Sequence, residues 1–182
     1  MMKERKRNLG QVWIETVLYT LIGLALMGVV LAFVTPKLNA EKDKIAVDQT
    51  ISAMNDFDDK VSTVLQAPGN VREISINMQR GTFNINSTTD SISFYFNDLT
   101  QPYSEPGVPI SIGRITALSQ KTSNGATVLL TLQYADNITY NQQDIDKVFT
   151  ASSVPYKFSI SNLGVLNQNS GQNVISISEL GS

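Results

Sequence analysis

Cysteine and histidine, which supply most thiol nucleophiles, zinc ligands and general bases, are both absent from this 182-residue chain. The remaining candidates for chemistry are carboxylates: Asp56, Asp58 and Asp59 lie close together, and Asp144 lies near Asp146. Such groups could bind calcium or transfer protons, but their spacing does not match the EF-hand calcium loop. We therefore expect solvated carboxylates, with no cofactor, no metal site and no catalytic activity.

Two Asn-X-Ser/Thr triplets, which begin at Asn86 and Asn137, form a second chemical feature. Each meets the sequence requirement for N-linked glycosylation, a modification of surface segments in exported proteins. Both triplets lie in polar segments that the sequence pattern assigns to loops or strand ends. Because Asn, Ser and Thr are abundant in this chain, chance occurrence is the alternative interpretation.

Charge separates the first ten residues from the rest of the chain. Lys3, Arg5, Lys6 and Arg7 outnumber Glu4, so these ten residues carry +3 of a formal net charge of −2, and the remainder carries −5. Basic residues beyond position 10 are scattered singly, whereas a nucleic-acid-binding surface needs a basic stripe. We expect no binding to nucleic acid.

An uncharged, apolar run extends from Thr16 to Val34. A helix of this length crosses about 30 Å of hydrocarbon, and a soluble core helix would show a polar stripe that this run lacks. The sequence predicts a transmembrane helix over residues 11–35, with the basic N-terminus in the cytoplasm and the rest of the chain outside. A secretory signal peptide cut near Leu38–Ala40 is the alternative, although its apolar region would span only about 7–15 residues.

The residues at the start of the chain follow a defined order. A basic leader, residues 1–10, ends in Gly10, and Glu15 lies just before the apolar run. This order resembles the start of type IV pilins, and the stretch GQVWIETVLYTLIGLAL is similar to the class III signal segments of archaeal pilin-like and archaellin-like proteins. The resemblance implies that a prepilin peptidase cuts between Gly10 and Gln11, which leaves Glu15 as the fifth mature residue. It also implies that Glu15 pairs with the freed amine of Gln11 on a neighbouring subunit. The alternative places Glu15 in the headgroup layer beside Trp13, at the positive end of the helix.

An amphipathic helix is predicted after the membrane segment, over residues 36–67. Pro36 lacks a backbone N–H and should kink or loosen the helix where it leaves the membrane. Apolar residues then recur at three- and four-residue spacing as far as the stop signal Pro68-Gly69, namely Ile45, Ile51, Met54, Phe57, Val61, Val64 and Leu65. This stripe needs a partner, so we expect it to pack on the domain that follows.

From Val71 onward, apolar residues alternate with polar ones, as is typical of strands. The pattern predicts three consecutive meandering strands, and then further strands, at Ile74–Met78, Phe83–Ile85, Ile92–Phe96, Ile110–Leu118, Val128–Tyr134, Tyr156–Ile160 and Val174–Leu180. The predicted fold class is α+β, in which a long N-terminal helix, membrane-spanning and then amphipathic, packs on an antiparallel β-sheet or β-sandwich domain over residues 71–182.

Together these features predict a structural subunit of a type IV pilus-like or archaellum-like surface filament. Its expected partners are the membrane, a prepilin peptidase, like subunits or related pilins, and a component of the cell envelope. One alternative is a stationary, membrane-anchored β module, such as an archaellum stator-like protein, that binds an envelope partner without polymerising. Another is a membrane-tethered solute binder or enzyme, which the shortage of catalytic residues makes the weakest of the three.

Overall fold

The computed structural model of the protein describes residues 8–165 and 171–181. Within these ranges the chain forms one α-helix and ten β-strands: α1 (Asn8–Val64), β1 (Val71–Ile76), β2 (Thr82–Asn86), β3 (Ser91–Leu99), β4 (Pro109–Ile112), β5 (Ile115–Thr122), β6 (Gly125–Gln133), β7 (Asn137–Tyr140), β8 (Lys147–Thr150), β9 (Tyr156–Val165) and β10 (Asn173–Glu179). The chain divides into two compact units, Met1–Glu41 and Lys42–Ser182.

Helix α1 is continuous and contains Pro36 in its interior. The predicted membrane and amphipathic segments are therefore parts of a single helix, and Pro36 does not interrupt it. The helix ends at Val64, four residues before Pro68, and Gly69 adopts a positive φ of 84°. The side chain of Asn162 on β9 then donates a hydrogen bond to the Val64 carbonyl over 3.1 Å, which satisfies one of the carbonyls left open at the helix end.

The amphipathic stripe of α1 is buried at most of the predicted positions. Ile51, Met54, Phe57, Val61 and Val64 all join the core, and Leu65 packs against it. The prediction is wrong at Ile45, which is exposed, whereas Val47 is buried. Val47 lies four residues before Ile51 on the same helix face, but Ile45 lies about 120° around the helix from Ile51 and about 160° from Val47.

The strands form two sheets. Sheet A has the order β1-β9-β10-β7, and sheet B has the order β4-β5-β6-β3-β2-β8. All neighbouring strands are antiparallel except β10 and β7, which are parallel. The α+β class with antiparallel-rich sheets is confirmed, and the parallel pair is an exception to it.

Three of the strand predictions are wrong in detail. The first three strands do not meander, because β1 pairs with β9 in sheet A while β2 and β3 form a hairpin in sheet B. The segment from Ile110 to Leu118 is two strands, β4 and β5, joined by a turn at Gly113-Arg114. The four-residue strands β7 and β8 were not predicted, since so short a run shows too little alternation.

One core contains the helix stripe and the inner faces of both sheets. Phe83 on β2 lies at its centre, with its ring centroid 6.1 Å from that of Phe57 on α1 and 5.6 Å from that of Phe158 on β9. It also lies within 6.3 Å of Phe94 and Phe149, its neighbours in sheet B. The helix and both sheets therefore meet at a single aromatic side chain.

Ion pairs and hydrogen bonds join α1 to the loops that precede β2 and follow β3. The Asp43 carboxylate accepts hydrogen bonds from Arg80, over 2.5 Å, and from the backbone N–H of Thr100, over 2.6 Å. Arg80 also pairs with Asp98 over 3.1 Å. Five residues further along the helix, Asp48 accepts a hydrogen bond from the hydroxyl of Tyr103 over 2.8 Å. Burial and the Asp48 carboxylate raise the pKa of Tyr103 to about 12.

A second ion pair corrects one prediction about the helix carboxylates. Asp58 was expected to be solvated, but it is buried and pairs with Arg114 over 2.6 Å. The Arg114 guanidinium lies 5.3 Å from the ring centroid of Tyr134, and burial, followed by the charge of Asp58, raises the pKa of that tyrosine. Asp56 and Asp59, by contrast, are exposed as expected.

Acidification should weaken the attachment made by Asp43. Burial alone would raise the pKa of this carboxyl, but hydrogen bonds from Thr100 and Arg80 outweigh it, so the pKa lies below its ordinary value. A lowered folded-state pKa stabilises the fold above the unfolded value of about 3.9, and the gain is lost as the pH falls through the folded pKa. We expect Asp43→Asn to lower the free energy of unfolding by about 1–2 kcal/mol at neutral pH, and by progressively less below pH 4 or so.

Urea unfolding of the full chain in detergent micelles, followed across this pH range, measures the effect. Asp56→Asn is the matched control, because Asp56 is an exposed carboxylate on the same helix. An equal loss for both variants, or a loss for Asp43→Asn that does not change with pH, would contradict the assignment.

Candidate functional site

The N-terminal part of α1 is apolar and exposed on every side. Trp13, Tyr19 and Phe33 are each at least 70% exposed, and every described side chain from Val12 to Val34 is exposed. Among the described residues, α1 is the one helix long and apolar enough to cross a membrane. An exposed apolar surface of this extent would be costly in water and is typical of a segment that contacts another apolar surface.

Polar side chains within this segment are satisfied by the helix itself. The hydroxyls of Thr16, Thr20 and Thr35 each donate to the carbonyl four residues earlier, over 2.7–2.9 Å. Such bonds remove the need for water, which allows these residues to lie in an apolar phase. The segment therefore contains threonines without disturbing its apolar character.

The residues that the pilin resemblance singles out lie at the beginning of α1. The backbones of Gly10 and Gln11 are helical, and Glu15 is exposed four residues after Gln11. Residues spaced by four occupy the same face of a helix. Glu15 is also the one charged residue between Asn8 and Pro36 in the sequence. The basic cluster of the leader, Lys3 to Arg7, lies outside the described residues.

The two glycosylation triplets occupy different environments. Asn86 ends β2 half-buried, its side-chain oxygen accepts a hydrogen bond from the N–H of Thr89 over 2.8 Å, and Thr88 is exposed. In the second triplet, Thr139 is only 3% exposed, and its hydroxyl donates to the Ile175 carbonyl over 3.2 Å. The triplet at Asn137 is thus part of the folded sheet A, while the triplet at Asn86 lies at the end of a strand.

Of the second pair of carboxylates, Asp144 and Asp146, only Asp146 has a structural role. Asp146 accepts hydrogen bonds from the backbone N–H groups of Ser87 and Thr88, over 2.9 and 3.3 Å, and so fixes the turn after β2. Asp144 is exposed. Among the described residues, no group of three or more acidic side chains is placed to hold a metal ion.

A cleft of about 320 Å³ lies between α1 and the segment from Ile76 to Arg80. Its floor is apolar and includes Met54 and Phe57. Gln49 and Gln79 are among the polar side chains in its lining, and its one charged side chain, Arg80, is occupied by Asp43 and Asp98. The cleft offers apolar contact but no pair of acid and base.

A surface that sequence analysis missed covers the side of sheet B that faces away from the core. We call it the outer face of sheet B, and define it by these residues of the six strands, of which Ser91 and Thr127 are themselves buried: Pro109, Ser111, Thr116, Leu118, Gln120, Thr127, Leu129, Thr131, Gln133, Ser91, Ser93, Tyr95, Thr82, Asn84, Asn86, Val148 and Thr150. None of these side chains is charged. Alternation along single strands predicts the outward positions, but only the strand order shows that they form one surface.

Glycosylation, if the chain receives it, should occur at Asn86 and not at Asn137. The hydroxyl of Thr139 is buried and bonded within sheet A, whereas Thr88 is exposed and its hydroxyl makes only a long bond of 3.4 Å to Asp146. Peptide mass spectrometry of the protein from its native membrane, with Asn86→Gln and Asn137→Gln as matched variants, tests this. Loss of the glycan in Asn137→Gln, with Asn86→Gln still modified, would contradict the prediction.

The structure thus places Gly10, Gln11 and Glu15 together within the first two turns of α1, and separates Asn86 and Asn137 between sheets B and A. Compared with known proteins, the chain matches no family model, no curated protein and no solved structure.

Proposed function

We propose that this protein is a structural subunit of a type IV pilus-like or archaellum-like surface filament. Before assembly it is a single-pass membrane protein, with its N-terminus in the cytoplasm and its β domain outside. A prepilin peptidase removes residues 1–10, and the mature chain assembles with like subunits through α1. The observation that carries this proposal is the N-terminal part of α1, which is apolar on all sides and has one charge near its start.

An all-round apolar helix suits a subunit that exchanges lipid for protein. Burial of apolar surface contributes about 25 cal/mol per Å², and in the membrane the lipid tails provide that burial. In a filament, the same residues of neighbouring subunits replace the lipid. A helix with a single apolar stripe, such as the part of α1 after Asp43, could bury only one face in this way.

Glu15 supports assembly more than simple anchoring. A charged residue at mid-bilayer costs on the order of 2.5–3.5 kcal/mol, so a carboxylate on an anchor helix needs a compensating partner or a polar layer. The amine freed at Gln11 supplies such a partner, because parallel helices shifted along their axes bring Glu15 of one subunit to Gln11 of another. Away from water, this pair favours one register over others.

Cleavage at Gly10 is compatible with the local structure. The Gly10–Gln11 bond lies in the first turn of α1, where the N–H groups have no partner within the helix. Glycine also weakens a helix by about 1 kcal/mol relative to alanine. The first turn can therefore open to present an extended peptide to a protease.

We expect the native protein to begin at Gln11, and Gly10→Val to block this processing. A branched side chain at the cut site would hinder the peptidase, so the variant should retain residues 1–10. Intact-mass and N-terminal analysis of protein from the native membrane measures both forms. Gly23→Ala is the matched control, since nothing lies within 4 Å of a methyl group added there. A native chain that keeps its leader, or begins near Glu41, would refute the pilin-like maturation.

Glu15→Gln should leave insertion and processing intact but reduce assembly. Loss of one partner of a buried ion pair costs about 3–5 kcal/mol, so association should weaken at least 100-fold or so. Electron microscopy and sedimentation of filaments sheared from cells measure the loss, with Glu41→Gln as the control at an exposed carboxylate.

Wild-type filament yield from Glu15→Gln would contradict the role of this residue. A correctly processed native protein that forms no filaments would instead indicate the stationary, membrane-anchored module.

A further inference from the structure

The outer face of sheet B is a broad surface on which six strands place their side chains in rows. One row runs across the sheet through Asn84, Ser93, Thr131 and Thr116, which are partners in adjacent strands. The next row contains Tyr95 and Leu129. With about 4.8 Å between neighbouring strands, the face is roughly 24 Å across.

The polar groups in this row have no partners of their own. In the part of the chain that the structure describes, the hydroxyls of Ser93, Thr131 and Thr116 make no hydrogen bond to another residue, whereas the unbonded side-chain oxygen of Asn84 is buried. Hydroxyl and amide groups on a protein surface bind water or another polar molecule. The face therefore offers a row of donors and acceptors beside an aromatic ring, since Tyr95 is 41% exposed.

The charged side chains Arg80, Arg114 and Lys147 lie outside the outer face of sheet B. Arg80 and Arg114 pair with carboxylates of α1, and Lys147 lies 5.8 Å from the ring centroids of Tyr140 and Phe149. An acidic or basic partner would thus find no ion pair on the outer face of sheet B. Electrostatic complementarity favours a neutral partner.

The side-chain types on the face also distinguish between neutral partners. Stable protein interfaces have an apolar centre, and Ser is depleted in them, whereas this surface is mostly Ser, Thr, Asn and Gln. Leu118 and Leu129, near the middle of the face, are half-buried, and its exposed aliphatic residues, Pro109 and Val148, lie on the two edge strands, β4 and β8. Neutral carbohydrate presents hydroxyl groups to such side chains and C–H faces to an aromatic ring.

We propose that the outer face of sheet B binds a neutral polysaccharide. Tyr95 packs against a sugar ring, and the hydroxyls of Ser93, Thr131 and Thr116 hydrogen-bond to hydroxyls of neighbouring rings. The site needs no second subunit to form it, because all six strands belong to one chain. It would allow a surface-displayed domain to adhere to an uncharged cell wall, capsule or matrix.

Retention of the full chain, in detergent micelles, on immobilised dextran, amylose, cellulose and chitin tests the proposal, with acidic alginate for comparison. We expect retention on at least one neutral polysaccharide and none on alginate. Raising the salt from about 0.1 to 1 M, which shortens the screening length from about 10 to 3 Å, should leave retention unchanged. Failure to bind any of the four neutral polysaccharides, or binding to alginate that salt abolishes, overturns the proposal.

Variants locate the site. Tyr95→Ala should weaken retention on the order of tenfold, Tyr95→Phe should preserve most of it, and Thr116→Lys should weaken it by placing a charge on the face. Leu163→Lys is the control, at an exposed position in sheet A. Equal retention by Tyr95→Ala and Leu163→Lys overturns the assignment to this face.

The absence of native cysteine permits a direct test for the competing occupant, a second copy of this chain. In Ser93→Cys, oxidation should give little disulfide-linked dimer, and a bound neutral polysaccharide should protect the thiol from maleimide. Efficient dimer formation between micelles would show a protein–protein interface on this face and overturn the proposal.

Discussion

The packing of Phe83 against Phe57 is the contact on which the β domain depends. Phe83 is the residue whose ring lies close to the helix, to its own sheet and, through Phe158, to the other sheet. Neither sheet could bury its inner face alone, because the inner residues of each face the helix stripe and the opposite sheet. Truncation of a buried phenylalanine typically costs about 3–5 kcal/mol. Here the cavity would open where all three elements meet, so none of them could relax to fill it without losing contact with the other two.

Local periodicity predicted those parts of the fold that depend on neighbouring residues. It correctly predicted the buried helix stripe from Ile51 to Val64. It failed at Ile45, because Val47, and not Ile45, lies on the same face of the helix as Ile51. The phase of alternation in fact changes between Ile112 and Ile115, from even to odd positions, and this shift marks the turn that separates β4 from β5. By contrast, the pairing of β1 with β9 joins strands that are far apart in sequence, and alternation carries no information about the partner.

The candidate sites also divide into those defined by residues close in sequence and those that join residues far apart in sequence. The prediction for Gly10, Gln11 and Glu15 depends only on their order along the chain, and it stays a prediction. The attachments of Asp43 to Arg80 and of Asp58 to Arg114 could not, since they join residues 37 and 56 positions apart, and a carboxylate on an amphipathic helix is usually solvated. The outer face of sheet B needed the strand order, because each strand contributes only two to four of its residues.

The distribution of charge connects these features. The described basic side chains Arg80 and Arg114 are used where α1 meets the loops of sheet B, and there they neutralise carboxylates that would otherwise be buried without partners. Two large surfaces, the N-terminal part of α1 and the outer face of sheet B, are left almost free of charge. They differ in what replaces charge: aliphatic side chains on the helix require a phase without water, while hydroxyls and amides on the sheet require a polar but neutral one. One chain thus presents one surface suited to an apolar environment and a separate surface suited to a hydrated one.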